Sequence, residues 1–378
     1  MTNHPLHIDG YCDPEFNSVK QAFTDNLMYK NELGAAISVV HKGQVKVDLW
    51  GGYKDKARTQ LWEKNTLVCV MSATKAIGSL CLLVLADKQL INLDTPVAAY
   101  WPEFAQEGKE GITVRCVLAQ LAGIPVADAA PANSLYKPGV VIKALAAQKP
   151  LWEPGTTPCY HSFTHGPFCQ KMVELITRKS LGTFLREDLF GPLDIDFFVG
   201  LKPEEEQRCA EVDVSENIPS LVGMQTPGTL LARAWKPASI TGDFFQGDEF
   251  RRSEFVSGNG HSNASALARL YGILAQHGGG LISNETLEDA IGEQWDAVEK
   301  MTSRHFRYST GFMLNNQHFN LGDNPRNFGH PGLGGPLGFA DPDAQMGFGY
   351  CCNRVHPIDD TGPCGSALID AVYSCLKL

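Results

Sequence analysis

A chain of 378 residues, 43% hydrophobic and 20% charged, has enough apolar content to bury a sizeable core in one large domain or two closely joined ones. Its net charge of -10, with no run of lysine or arginine, argues against a surface that tracks nucleic-acid phosphates or anionic lipid and leaves small-molecule chemistry as the better expectation.

The opening "MTNHPLHIDGYCDPEF" lacks the basic start and apolar stretch of a signal peptide. The longest apolar run, around 76 to 86, is too short and interrupted to span a bilayer, so a soluble, cytoplasmic protein is expected. Residues 36 to 50, "AISVVHKGQVKVDLW", place β-branched runs on either side of Lys42-Gly43 and predict two antiparallel strands joined by a tight turn. From Thr74 to Leu85 apolar positions go nearly all round a helix, which marks it as buried on every side. After a turn at Asp94 and Pro96, helical patterns dominate: 162 to 176, 181 to 189 and 262 to 276, the last capped by Ser262 or Asn263 and closed by Gly278 to Gly280. Residues 203 to 260 are richer in loop signals. Strand character returns at 308 to 315 and at 335 to 353, the latter turning at Asp341 to Ala344, and a helix at about Ser366 to Lys377 finishes the chain. This order predicts an α/β (α+β) fold: one antiparallel sheet from both termini, flanked by helices, with a mainly helical region inserted. The expected division is 1–95 with 300–378 against 96–299, with the site between them.

Ser72 and Lys75 lie three apart at the start of the buried helix, so both project from one face. Burial lowers the pKa of a lysine and lets its amine take a serine proton; the structural alternative is a lysine reaching along its stem to water. A second such pair, Ser134 and Lys137, runs into Pro138-Gly139 and belongs to a turn that holds neither side chain in register. Two further stretches carry candidate chemistry. "LWEPGTTPCYHSFTHG" presents Tyr160 just before a helix, and "FGHPGLGGPLGFADPDAQMGFGY" brings His330-Pro331-Gly332 into a glycine-dense strand.

In this order the three stretches resemble the serine β-lactamase and penicillin-binding protein superfamily, most closely in kind its class C β-lactamase-like esterases of the family VIII carboxylesterase type. "LDTPVAAYWPEF" and "ITVRCVLAQLAGIP" extend the likeness between the first two motifs. The resemblance implies a β-lactamase/transpeptidase-like fold and a serine hydrolase acting through an acyl-enzyme. Ser72 would be the nucleophile, Lys75 and Tyr160 its acid/base machinery, and the amides of Ser72 and Leu333 the oxyanion hole, with His330 and Gly332 lining the site. The chain departs from the family in having Tyr160-His161-Ser162 where Tyr-x-Asn is usual, and His330 where a lysine is. A histidine is mostly neutral at pH 7, so the site lacks the cation that would recognise a β-lactam carboxylate, which shifts the expected substrate to a neutral carboxylic ester. His161, His261 and His330 are each open to a core or loop role, with His330 the one favoured to line the site.

The rival readings are an acyltransferase passing the acyl group to an alcohol or amine, a β-lactamase or D-amino-acid amidase-type peptidase, and a non-catalytic ligand-binding homologue. Ser262 in "GNGHSNA" resembles an α/β-hydrolase elbow but follows a polar, glycine-broken stretch in place of a buried strand, and reads better as a helix cap. No HExxH or P-loop is present and the Gly-rich stretch at 332 to 338 lacks a following helix, so no metal or organic cofactor is expected. The eleven scattered cysteines, without CxxC spacing, suit reduced core residues. The expected partner is a small-molecule ester, with an acyl acceptor as well under the acyltransferase reading, and not nucleic acid or membrane; the sequence leaves the oligomeric state open.

Overall fold

The two ends of the chain meet in one sheet. The computed structural model describes residues 6–215, 223–238, 240, 244–357 and 361–376. Its N-terminal strands are β1 (Ile8–Cys12), β2 (Gly34–His41) and β3 (Gln44–Gly52); β4 (Val68–Cys69), β5 (Phe197–Phe198) and β6 (His261–Ser262) form a small separate sheet. The C-terminal strands are β7 (Trp295–Val298), β8 (His305–Tyr308), β9 (Met313–Leu314), β10 (Phe328–Pro331), β11 (Leu337–Asp341) and β12 (Met346–Cys352). Nine strands run in the order β1-β3-β2-β12-β11-β10-β9-β8-β7, all neighbours antiparallel. The halves join where β2 pairs with β12, from Met346 opposite His41 to Cys352 opposite Ala35.

Burial explains this arrangement. β2 is buried from Gly34 to Val40, which only a central strand covered on both faces can satisfy. On one face Ile37, Val39, Phe339 and Phe348 pack with Val19 and Phe23 of the helix Asn17–Tyr29 and with Leu368, Ile369 and Val372 of the helix Gly362–Cys375. On the other face the helix Ala264–Ala275 presses onto Gly347 and Gly349. A Cβ at Gly347 would stand 2.2 Å from the Ala268 carbonyl oxygen, so glycine is what lets helix and strand approach. The hairpin turn falls at Lys42 and Gly43, both with positive φ, as the primed turn of a two-residue hairpin requires. The helix Thr74–Asp87 is buried continuously from Thr74 to Leu85, in line with its all-round apolar pattern.

Several expectations are corrected. The stretch 308 to 315 is not one strand: Gly311, at φ 102, brings the backbone down onto Ser79 of the central helix, so pairing stops at Tyr308 and resumes only at Met313. The outermost strand β7 lies inside the 96–299 stretch expected to be mainly helical, as do β5 and β6. Ser262 is a strand residue whose hydroxyl donates to the Asp196 carbonyl at 2.7 Å; Asn263 caps the following helix by accepting from Ala266 N–H. The last helix spans Gly362–Cys375, and Lys377 lies outside the described residues. Among the described residues no helix is long and apolar enough to cross a membrane.

Candidate active site

The site is assembled at the N-terminal end of the central helix. β4 is held by β6, Val70 N–H donates to the Gly260 carbonyl at 2.8 Å, and the chain then turns through Met71 at φ 49, a left-handed conformation that non-glycine residues seldom adopt. A short 3₁₀ turn, Met71–Ala73, leads into the helix and presents Ser72. Thr74 locks the turn, donating to the Met71 carbonyl at 2.5 Å and accepting from Gly260 N–H at 2.9 Å.

Lys75 is fully buried, and its Nζ lies 3.1 Å from Ser72 Oγ and 2.6 Å from the Ser257 carbonyl. Burial pushes its pKa down to about 7, since an ammonium loses its hydration there. Ser257 is itself fixed, accepting from Gly166 N–H at 2.8 Å and donating to the Phe163 carbonyl. The second candidate stretch therefore supports the lysine through two of its own backbone groups.

Tyr160 is half-buried, and the Lys75 Nζ stands 5.0 Å from its ring centre. Desolvation raises the phenol's pKa, and a hydrogen bond with Ser72 pulls it the other way. The backbone of Tyr160 is anchored by Glu299, a buried carboxylate that accepts from Tyr160 N–H and Met301 N–H, each at 2.7 Å, and from the amide and hydroxyl of Thr302. Ser162, in the place of the usual asparagine, is turned aside: its Oγ accepts from Trp235 Nε1 at 3.1 Å.

His330 lies at the end of β10, fully buried, with its ring centre 6.1 Å from that of Tyr160 and 6.3 Å from that of Tyr308. Burial and then the charge of Lys75 push its pKa down to about 3, so the ring is neutral across the working range. Its Nδ1 is 2.7 Å from the Pro331 carbonyl, and its Nε2 is buried without a hydrogen-bond partner among the described residues. The glycines after it form a turn and not the expected strand: Gly334 and Gly335 have φ of 89 and 130, and Gly332 N–H donates to the Pro336 carbonyl at 2.6 Å. Leu333 sits in that turn. A Cβ on Gly332 would lie 2.2 Å from the Val70 carbonyl oxygen, so only glycine lets this turn reach the segment leading into Ser72.

The other sequence candidates fall elsewhere. Ser134 donates to the Pro131 carbonyl at 2.7 Å within a turn. His161 and His261 are core residues, their Nδ1 atoms 2.7 and 2.8 Å from the carbonyls of Cys159 and Asn259, with burial pushing both pKa values down to about 4. Sequence reasoning missed Glu299, which has no local signature because its partner Tyr160 is 139 residues away. It also missed a buried polar chain beneath Lys75. His165 lies 3.0 Å from Ser79 Oγ and 3.2 Å from Gln120 Nε2, which also donates to Tyr308 at 3.2 Å; Gln120 Oε1 accepts from His161 N–H at 2.6 Å. The histidine at the mouth of the helix His165–Thr177 was the available signal.

A serine, a buried amine of depressed pKa, a phenol and a close glycine turn are the parts a serine acyl-enzyme needs. Residues 20–372 match the Beta-lactamase family. The chain belongs to that family. Within the Beta-lactamase family it is 31% identical over 361 residues to the esterase/beta-lactamase LipL of Mycobacterium tuberculosis, an alignment covering 92% of this chain and 83% of that one. Among solved structures, a family VIII carboxylesterase superposes with a TM-score of 0.86 at 34% identity, covering 98% of this chain and 100% of that one. A penicillin-binding protein homolog from Caulobacter crescentus superposes at 0.88 with 31% identity over the same shares. The β-lactamase/transpeptidase-like fold expected from the motifs is thus the fold the chain has.

Proposed function

We propose that this Beta-lactamase family protein is a serine carboxylesterase that hydrolyses neutral esters through an acyl-Ser72 intermediate. The observation that carries the reading is the buried Lys75 amine, 3.1 Å from Ser72 Oγ with its pKa brought down to about 7. In its neutral form Nζ takes the hydroxyl proton as Oγ attacks the ester carbonyl, and the new oxyanion is met by the amides of Ser72 and Leu333. As the carbon–oxygen bond to the alcohol breaks, the leaving oxygen recovers a proton from Lys75 through the Tyr160 phenol. Water then attacks the acyl-serine by the same route in reverse, releasing the acid. The esterase and carboxylesterase relatives support this chemistry. The choice of a neutral ester rests on His330, whose uncharged ring offers no cation to a substrate carboxylate.

The α/β part, 1–95 with 300–378, contributes Ser72, Lys75 and His330, and the middle part, 96–299, contributes Tyr160, Ser257 and Glu299; the substrate would enter where they meet. All eleven cysteines are free, which suits a reducing, cytoplasmic setting.

Intact-mass spectrometry after brief exposure to an activated butyrate ester tests the proposal. The expected result is one added butyryl group, absent in Ser72→Ala and retained in Ser134→Ala and Ser262→Ala. Acylation that survives in Ser72→Ala overturns the assignment. Adding an acceptor alcohol separates hydrolysis, where free acid accumulates, from acyl transfer, where a new ester does.

A further inference from the structure

A second cluster of reactive side chains, unused by this ester chemistry, lies next to the turn that carries Leu333. Glu32 precedes β2, His356 follows β12, and Cys364 sits in the first turn of the C-terminal helix. Each offers one ligand atom, the three atoms lie within 4.8 Å of one another, and all three residues are buried. They meet because β2 and β12 are hydrogen-bonded neighbours, which brings residues more than 300 positions apart to one end of the sheet.

The surroundings have the form of an outer shell. His356 Nε2 is 3.2 Å from Glu32 Oε1. That is close to the roughly 3.3–3.7 Å between ligand atoms of a tetrahedral ion with bonds of about 2.0–2.3 Å. The Tyr350 hydroxyl donates to the other carboxylate oxygen, Glu32 Oε2, the kind of second contact that orients a ligating carboxylate. Asn26 Nδ2 donates to the Cys364 carbonyl at 3.1 Å and fixes the helical turn bearing the thiol. The Glu32–His356 contact joins two of these groups, and the Cys364 thiol converges on the same carboxylate.

We propose that Glu32, His356 and Cys364 supply three ligands of a zinc site that ties the two chain ends to the Gly332–Gly335 turn. A set of one sulfur, one nitrogen and one oxygen suits a borderline-soft tetrahedral ion and disfavours magnesium or calcium, which take oxygen ligands. The tie to the turn is direct: His356 N–H donates to the Gly334 carbonyl at 3.2 Å, and Cys352 Sγ approaches the same oxygen at 3.7 Å. On binding, the Cys364 sulfur forms the metal bond and its proton goes to solvent.

Full-length protein dialysed against a chelator is titrated with cobalt(II), and zinc is then added in competition. The expected result is one equivalent of cobalt with a thiolate-to-metal charge-transfer band, displaced by zinc, and a zinc-dependent rise in Tm. Cys364→Ser should lose the band and weaken zinc binding by more than the roughly 10–100-fold typical of removing an outer-shell partner. His356→Gln should lose the zinc-dependent rise in Tm, with native near-UV circular dichroism showing that the variant is folded. The wild-type titration is decisive whatever the variants do: no thiolate band and no Tm shift overturn the site. A band that survives unchanged in folded Cys364→Ser places the ion on another thiol and overturns it equally.

Discussion

Lys75 carries an amine to a place where an ammonium is costly, and the pH behaviour of the protein follows from that one residue. Unfolded, the amine keeps its proton up to about 10.5; folded, only up to about 7. Between these values the unfolded chain binds more protons, so this group makes stability rise with pH across that window, and its full penalty is present below about 7. Lys75→Met cannot titrate. Its urea midpoint relative to wild type should therefore be most favourable near pH 6 and lose ground as pH rises toward 10. Activity follows the same group: kcat/KM should climb through a midpoint near 7, and His330, held near 3, adds no second step. Lys75→Arg keeps a charge that cannot be given up near neutral pH, so its kcat should fall by about a hundredfold or more, the size of a lost general base. A near-normal rate in that variant would make the lysine structural.

At the scale of elements, the site depends on a turn and a helix start that approach closely. Met71 adopts a left-handed conformation to aim Ser72, and Gly332 comes so near that a methyl group would overlap the Val70 carbonyl oxygen. Backbone on both sides cannot yield as a flexible side chain would. Gly332→Ala should therefore push the Leu333 turn away from Ser72 and lower kcat by about a hundredfold, the cost of a displacement near 1 Å at a reacting centre. Gly139→Ala is the matched control. It lies in the helix Pro138–Ala147, where an added Cβ meets nothing within 4 Å among the described residues, so steady-state kinetics should show no loss and stability should rise slightly. Equal effects of the two substitutions would remove the argument for close approach.

For the whole molecule, the central helix is the shared core. Ile77, Leu80 and Leu83 belong to one apolar cluster with Phe104, Phe168 and Met172 from the middle of the chain and with Phe312 and Phe328 from its C-terminal part. A core shared in this way leaves neither part able to keep its apolar face covered alone. Urea unfolding followed by far-UV circular dichroism and by tryptophan fluorescence should give coincident single transitions, whereas two separated midpoints would mean independent units. The C-terminal helix joins the other face of the sheet through Leu368, which is fully buried. Leu368→Ala should cost about 2–5 kcal/mol in the same experiment and should shift both probes together.

What the sequence alone determined lies where local pattern and chemistry coincide. The hairpin around Lys42-Gly43, the helix apolar on all sides and the placing of Ser72 and Lys75 on one face follow from periods of two and 3.6 residues and from turn residues. The three ordered motifs were legible for the same reason, since each is a short run whose residue types carry its chemistry. What only the tertiary structure decided involves partners far apart in the chain. Ser262 became a strand residue because β4 and β5 flank it, and the glycines after His330 became a turn because Val70 stands behind them. Glu299 under Tyr160, and Glu32, His356 and Cys364 at the end of the sheet, left no trace in any local window. A buried polar group is placed by whichever donor or acceptor the fold brings to it, and sequence spacing carries no record of that distance.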